Sequence, residues 1–171
     1  MPNLIGISGL IGSGKTLLAD TLCAEHNYLK VKMATPIKDM LLSVGLSQED
    51  IEGETKEIPN KLLCGKSPRF AMQTLGTEWG RNQIGSDIWV NLWGAKVETL
   101  MSMNSNVVCD DVRFPNEVDK IQQMGGIIVR LRRGVVQQQT HSTENQQLNY
   151  NILLDNNGDI QDVVSTLFKL L

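Results

Sequence analysis

Apolar residues along this chain come in short blocks that alternate with longer stretches of helical periodicity. Leu4 to Ser8 is an apolar run ending in glycines and predicts a buried strand. From Lys15 to about Glu25, Leu17, Leu18, Thr21 and Leu22 recur at helical spacing. Tyr28 to Met33 alternates and predicts a second strand. Thr35 followed by Pro36 predicts a helix start, with a side-chain cap and then proline at the first helical position. Ser67-Pro68 repeats that signal, and Phe70, Leu75 and Trp79 follow at loose helical spacing. Ser86-Asp87 opens a helix to about Met101, and Asn106 to Asp110 predicts a buried strand ending in acids.

A helix over Asn116 to Met124, strands at Ile127 to Leu131 and near Tyr150 to Leu154, and a helix from about Asp159 complete the pattern. Gly45 to Lys66 is polar and poorly periodic, and is expected to be loop with one short helix. Strands alternating with helices predict an α/β fold, a mostly parallel sheet with helices on both faces. Neither a repeat nor a linker marks a second domain, so residues 1–171 are expected to form one domain.

Composition narrows the function. Sixteen Lys plus Arg against nineteen Asp plus Glu leave a net charge of -3. A generic nucleic-acid binder neutralises phosphates with excess cations, so that class is excluded. Cys23, Cys64 and Cys109 are odd in number and widely spaced, and fit buried free thiols better than a disulfide framework or a zinc site. With two histidines, a His-based metal cluster is not expected either. The chain shows neither a transmembrane run nor a basic leader, and is expected to be cytoplasmic and off the membrane.

Gly9-Leu10-Ile11-Gly12-Ser13-Gly14-Lys15-Thr16 matches G-x-x-x-x-G-K-[ST] in full, between a predicted strand and a predicted helix. Glycines let the backbone wrap closely around a phosphate, and the helix beginning at Lys15 adds its positive end. Lys15 would reach the terminal phosphates and the Thr16 hydroxyl would ligate magnesium. The loop therefore implies ATP or GTP, and the absence of an N-K-x-D motif argues against a guanine-binding G protein.

Val107-Val108-Cys109-Asp110-Asp111 puts two carboxylates at the carboxyl edge of a predicted strand, where open α/β sheets bind ligands. Either could hold magnesium through water or accept from a substrate. Arg113 and Glu117 follow at a spacing that can return both to one cleft, although such a pair is more often a surface salt bridge. Arg130, Arg132 and Arg133 cluster ahead of the polar stretch Gln137 to Thr143. That arrangement suits a lid, over about residues 130–145, closing on transferring phosphates, and equally suits a solvated strand edge.

Two longer segments add to these: Gln73-Thr74-Leu75-Gly76-Thr77-Glu78-Trp79-Gly80-Arg81 with Asp87-Ile88-Trp89-Val90, and Asp111-Val112-Arg113-Phe114-Pro115-Asn116-Glu117. Together with the loop and the arginine segment they resemble the bacteriophage deoxynucleoside monophosphate kinases over nearly the whole chain. The resemblance implies a three-layer P-loop kinase fold with a lid, ATP as phosphoryl donor, magnesium, a deoxynucleoside monophosphate as acceptor and a homodimer. Combined with the loop and arginine readings above, it assigns Lys15, Asp111, Arg113 and Arg130 to catalysis and Gly9 to Thr16 with Arg132 to ATP. Arg69, Gln73, Arg81, Trp89, Asp111, Arg113 and Glu117 go to the substrate.

Trp89 taken alone reads as core. Asp110 is an extra acid beside the motif, and a one-residue register slip would exchange it with Asp111 at the cleft. Thr140 to Glu144 resembles a short family segment but carries an inserted residue, so no chemistry is assigned to it. Asn156-Asn157-Gly158-Asp159 reads either as a turn capping the last helix or as an adenine-contacting loop. The rivals to a nucleotide kinase are a P-loop kinase for another small acceptor, such as dephospho-coenzyme A, and an ATP-binding module without transfer.

Overall fold

In the computed structural model, residues 2–134 and 148–171 are described. The Gln137–Gln139 run, the Thr140–Glu144 segment and most of the expected lid lie outside them. The chain divides into two compact units, one formed by Met1–Met33 with Gly94–Leu171 and the other by Ala34–Trp93. The division falls within one helix.

The first unit is built on five parallel strands: β1 (Leu4–Ser8), β2 (Tyr28–Lys30), β3 (Asn106–Cys109), β4 (Ile127–Arg132) and β5 (Ile152–Asp155). Their order is β2-β3-β1-β4-β5. β1 is therefore central, and the chain leaves it for β2 and β3 on one side and for β4 and β5 on the other. The carboxyl end of β1 is the switch point at which sheets of this kind bind ligands. All five residues of β1 are buried, as expected for a strand covered on both faces.

Helices α1 (Lys15–His26) and α7 (Ile160–Leu170) cover one face. Their Leu18, Leu22, Val163 and Leu167 pack with Ile5, Ile7, Val108, Val129 and Leu131 in one buried cluster. On the other face α6 (Pro115–Gln123) presses close. A Cβ on Gly6 would lie 2.7 Å from Ile121 Cδ1 and 2.8 Å from Ile128 Cδ1, so a side chain there would displace both isoleucine ends. This arrangement is the predicted α/β parallel sheet, with boundaries shifted by up to three residues. The largest shift is at β2, which ends at Lys30 rather than Met33.

The second unit holds α2 (Thr35–Ser43), α3 (Gln48–Glu52), α4 (Pro68–Gln73), a π-helix (Thr74–Ile84) and the first residues of α5 (Ile88–Ser102). Leu41, Leu46 and Ile51 form its small core, with Ile37, Leu63, Met72 and Leu75 packed around them. Ser67 caps α4 as predicted, accepting from the Phe70 N–H at 3.2 Å.

The start of α2 differs from expectation. Ala34 occupies the cap and Thr35 is already helical, with no side-chain cap. Pro36 thus falls at the second helical position, where its missing N–H still costs no helical hydrogen bond. The expected short helix between Gly45 and Lys66 is α3, closed by a capping box between Ser47 and Asp50, and two 3₁₀ turns follow it.

Candidate active site

The loop Gly9–Thr16 joins β1 to α1 at the switch point. Gly9, Gly12 and Gly14 adopt φ of 148°, 79° and 96°, a region side chains disfavour. Space adds to that requirement at two of them. A Cβ on Gly9 would sit 2.4 Å from the Leu131 carbonyl oxygen, and one on Gly14 would sit 2.2 Å from Asn156 Nδ2. Ser13 N–H donates to the Leu10 carbonyl at 3.1 Å and closes the turn, and the Leu18 N–H donates to the Gly14 carbonyl at 3.0 Å. The Lys15 ammonium folds back and donates to the Gly9 and Leu10 carbonyls at 2.7 and 2.8 Å. Those carbonyls hold the cation over the loop that a phosphate would occupy.

Three buried polar atoms lack a hydrogen-bond partner among the described residues: Ser8 Oγ, Ser13 Oγ and Asp110 Oδ1. Two belong to β1 and the loop, and the third follows β3, the neighbour of β1. Buried polar atoms are normally satisfied, so such a set at a switch point calls for an outside partner. Val108 packs in the α1–α7 cluster, and strand alternation gives Asp110 the same face, that of the loop helix. Asp110 is 3% exposed. Lys30, ion-paired with Asp20, lies near enough to feel it: burial pulls the Lys30 ammonium down, but Asp20 and then Asp110 outweigh this and leave it raised.

Asp111 is placed differently. Its Oδ1 accepts from the Met33 N–H at 2.8 Å and from Cys109 Sγ at 3.2 Å. Burial, and then the Asp111 charge, push the Cys109 thiol well above its ordinary value and keep it neutral. Asp111 thus ties the end of β3 to the segment after β2. The sequence favours Asp111 over Asp110 for the cleft, whereas the oxygen left without a partner is on Asp110.

Arg113 is exposed, and Glu117, 3% exposed, accepts from the Arg113 and Phe114 N–H groups at 2.7 and 3.1 Å. The expected pair is therefore a carboxylate capping α6 at the backbone of Arg113, which keeps the turn after β3 closed.

Arg130 lies on β4 opposite Ser8, with its guanidinium carbon 5.8 Å from the Tyr150 ring centre. Arg132 makes a two-pronged bond to Asp155 at 2.6 and 2.9 Å across β4 and β5. That hydrogen bonding holds the Asp155 carboxyl below its ordinary value and raises Arg132. Both groups are half exposed, so the pair contributes little to stability.

The predicted substrate residues Arg69, Gln73, Arg81 and Trp89 all belong to the second unit. Arg69 is exposed and pairs with Glu57 at 2.8 Å, Gln73 is exposed at the end of α4, and Arg81 donates to the Ser86 carbonyl at 3.4 Å. Trp89, expected to stack on or enclose the nucleotide, is buried within the second unit. It is 2% exposed, its Nε1 donates to the Gly76 carbonyl at 2.7 Å, and a Cβ on Gly80 would fall 2.4 Å from its Cζ2. Gly80 leaves room for the indole edge and the Gly76 carbonyl accepts from it, so the ring packs against the π-helix. Trp79, with its ring centre 6.1 Å away, is the exposed member of the pair.

In the sequence Asn156 has no role of its own beyond its place in a segment read as a capping turn or an adenine-contacting loop. It is 3% exposed, and its Nδ2 donates to the Ser13 carbonyl at 2.9 Å across 143 residues of sequence. The only sequence signal was a polar side chain directly after a strand, at the same sheet edge as the loop. Its neighbours keep the turn reading, since Asp159 caps α7 through the Gln161 N–H.

A five-stranded parallel sheet with a glycine loop running from its central strand into a helix defines the P-loop kinase fold. Solved structures agree. A provisionally assigned kinase from Chloroflexus aurantiacus superposes with a TM-score of 0.55 at 12% identity, covering 99% of this chain and 98% of its own. Shikimate kinase from Aquifex aeolicus gives 0.54 at 11% identity, covering 98% and 95%. At such identities the likeness concerns the fold alone.

Sequence relatives go further. The profile of the deoxynucleotide monophosphate kinase family matches residues 48–167. A protein of Acanthamoeba polyphaga mimivirus, provisionally named a deoxynucleotide monophosphate kinase, is 32% identical over 182 residues, 97% of this chain and 94% of the relative. The chain belongs to the deoxynucleotide monophosphate kinase family. The profile match begins downstream of Gly9–Thr16, so family and phosphate loop are independent observations. No helix among the described residues is long and apolar enough to cross a membrane.

Proposed function

We propose that this chain transfers the γ-phosphoryl group of ATP to a deoxynucleoside monophosphate, giving the diphosphate and ADP. The reading is carried by one coincidence: a formed phosphate loop at the β1 switch point in a chain whose remainder matches the deoxynucleotide monophosphate kinase family. An acceptor phosphate oxygen attacks the γ-phosphorus in line. The bond from that phosphorus to the bridging oxygen breaks, and its electron pair leaves on ADP. The acceptor phosphate is already ionised near neutral pH, so no general base is required.

In this reading, backbone N–H groups of Gly9 to Thr16 bind the ATP phosphates, and Lys15 exchanges its two loop carbonyls for phosphate oxygens. Arg113 and Arg130 spread the developing charge, and Arg132 joins them by releasing Asp155. Arg69, Gln73 and Arg81 are the proposed contacts to the monophosphate. Asp111 and Glu117 act by holding backbone, as their bonds to Met33, Arg113 and Phe114 indicate.

Magnesium fits the donors present. No cluster of three His, Cys, Asp or Glu exists among the described residues, and magnesium needs none, taking one or two protein oxygens with phosphates and water. The exposed Thr16 hydroxyl at the start of α1 and the unpartnered Asp110 Oδ1 suit it. Bound there, the ion would neutralise charge on the β- and γ-phosphates. A cytoplasmic location, where free nucleotides and magnesium are available, is part of this proposal.

A panel of deoxynucleoside and nucleoside monophosphates with ATP and magnesium, read as ADP and diphosphate formed, tests the proposal. Turnover of at least one deoxynucleotide supports it. Turnover only of dephospho-coenzyme A, or ATP binding with no product, would sink it.

A further inference from the structure

We infer that Asn156 is a positioning residue of the phosphate loop, fixing the Ser13–Gly14 peptide plane from outside the loop. The inference rests on the loop being an ATP site. Within the loop, the Ser13 N–H is held by Leu10 and the Gly14 carbonyl by Leu18, while Lys15 holds the Gly9 and Leu10 carbonyls. The Ser13 carbonyl is held from outside, by Asn156 Nδ2 at 2.9 Å.

Asn156 is itself fixed. Its N–H donates to the Arg132 carbonyl at 2.7 Å, which seats it at the end of β4, and it is buried. Its amide nitrogen takes the space a Gly14 side chain would need, 2.2 Å from that Cβ position. The loop glycine and the distant asparagine therefore fit each other: any side chain at residue 14 expels the amide.

The consequence for function follows from peptide geometry. In a planar trans peptide the C=O and the next N–H point in opposite directions. Holding the Ser13 carbonyl toward Asn156 turns the Gly14 N–H to the other side, where loops of this kind gather N–H donors around an anion. Gly14 also precedes α1, so the same plane sets the first free N–H group of that helix. Without the amide, the Ser13 carbonyl is a buried acceptor with nothing to accept from, and the peptide can rotate to find water.

The test compares Asn156→Ala and Asn156→Asp with the parent in ATP affinity, by equilibrium dialysis with magnesium-ATP, and in steady-state kinetics. Asn156→Ala is expected to weaken ATP binding about 10-fold, about 1.4 kcal/mol. Asn156→Asp keeps the shape but cannot donate and adds negative charge; it is expected to lose about 100-fold, and it serves if the alanine variant fails to fold. In turnover, KM for ATP rises while KM for the monophosphate stays within about twofold. ATP affinity equal to the parent in either folded variant, or equal losses for both substrates, overturns the inference. The dialysis arm needs no turnover. A parent that binds ATP but phosphorylates no deoxynucleotide defeats the functional reading and leaves the role of Asn156 to be judged on binding alone.

Discussion

Replacing Trp89 by Phe separates a packing role from a substrate-contacting one. The ring remains apolar and close in shape, but Nε1 is lost, and the buried Gly76 carbonyl loses the donor it meets at 2.7 Å. Leaving a buried carbonyl unsatisfied costs about 1–3 kcal/mol. Taking about 2 kcal/mol for a chain of this length predicts a fall in Tm of about 4–8 °C. Trp89→Ala empties the space between Gly80 and the core as well, and should cost about 3–5 kcal/mol. Thermal and urea melts of the three proteins, with ATP dialysis alongside, measure this. ATP affinity should be unchanged in Trp89→Phe. A variant that melts with the parent but shows a KM for the monophosphate raised 10-fold would mean the indole meets the nucleotide, and would refute the packing assignment.

The two neighbouring aspartates should divide in their effects. Asp110→Asn is expected to keep the parent's Tm within about 2 °C and lose at least about 100-fold in magnesium-dependent turnover, whereas Asp111→Ala should destabilise by about 1–3 kcal/mol by freeing the Met33 N–H; the reverse pattern in paired melts and assays would exchange their roles. Gly9→Ala must meet the Leu131 carbonyl at 2.4 Å with φ near 148°, and is expected to lose ATP binding in dialysis by at least about 10-fold. For the thiols, a raised pKa means less thiolate at any given pH, so iodoacetamide at pH 8 should label exposed Cys64 first and buried Cys109 only after unfolding. Peptide mapping reads the order, and early labelling of Cys109 would contradict its burial.

Local chemistry made much of the first unit legible. The loop's turn, its lysine and the following helix are held by hydrogen bonds within a few residues, and the apolar runs of β1 and β3 report burial on two faces. Tertiary contacts were not legible. Asn156, after β5, meets Ser13, after β1, with β4 between those strands, and no spacing rule links residues 143 apart. Asp110 and Asp111 differ by which face of a strand end they occupy, and a motif cannot express that when two acids adjoin. The π-helix was hidden for a related reason. Its glycines at 76 and 80 look like breaks in an ordinary helix until the Trp89 indole is seen to fill the space at Gly80 and bond the Gly76 carbonyl. Family resemblance gave Trp89 a functional weight, and no spacing rule showed its packing against the π-helix.

Transfer of label from [γ-³²P]ATP to each deoxynucleoside monophosphate, with Lys15→Ala run in parallel, tests the central claim most directly. The account predicts a labelled deoxynucleoside diphosphate with the parent and at least about a 100-fold lower rate with Lys15→Ala, whose ammonium no longer reaches the phosphates. Absence of labelled diphosphate from every deoxynucleotide, or a Lys15→Ala rate equal to the parent's, would contradict it.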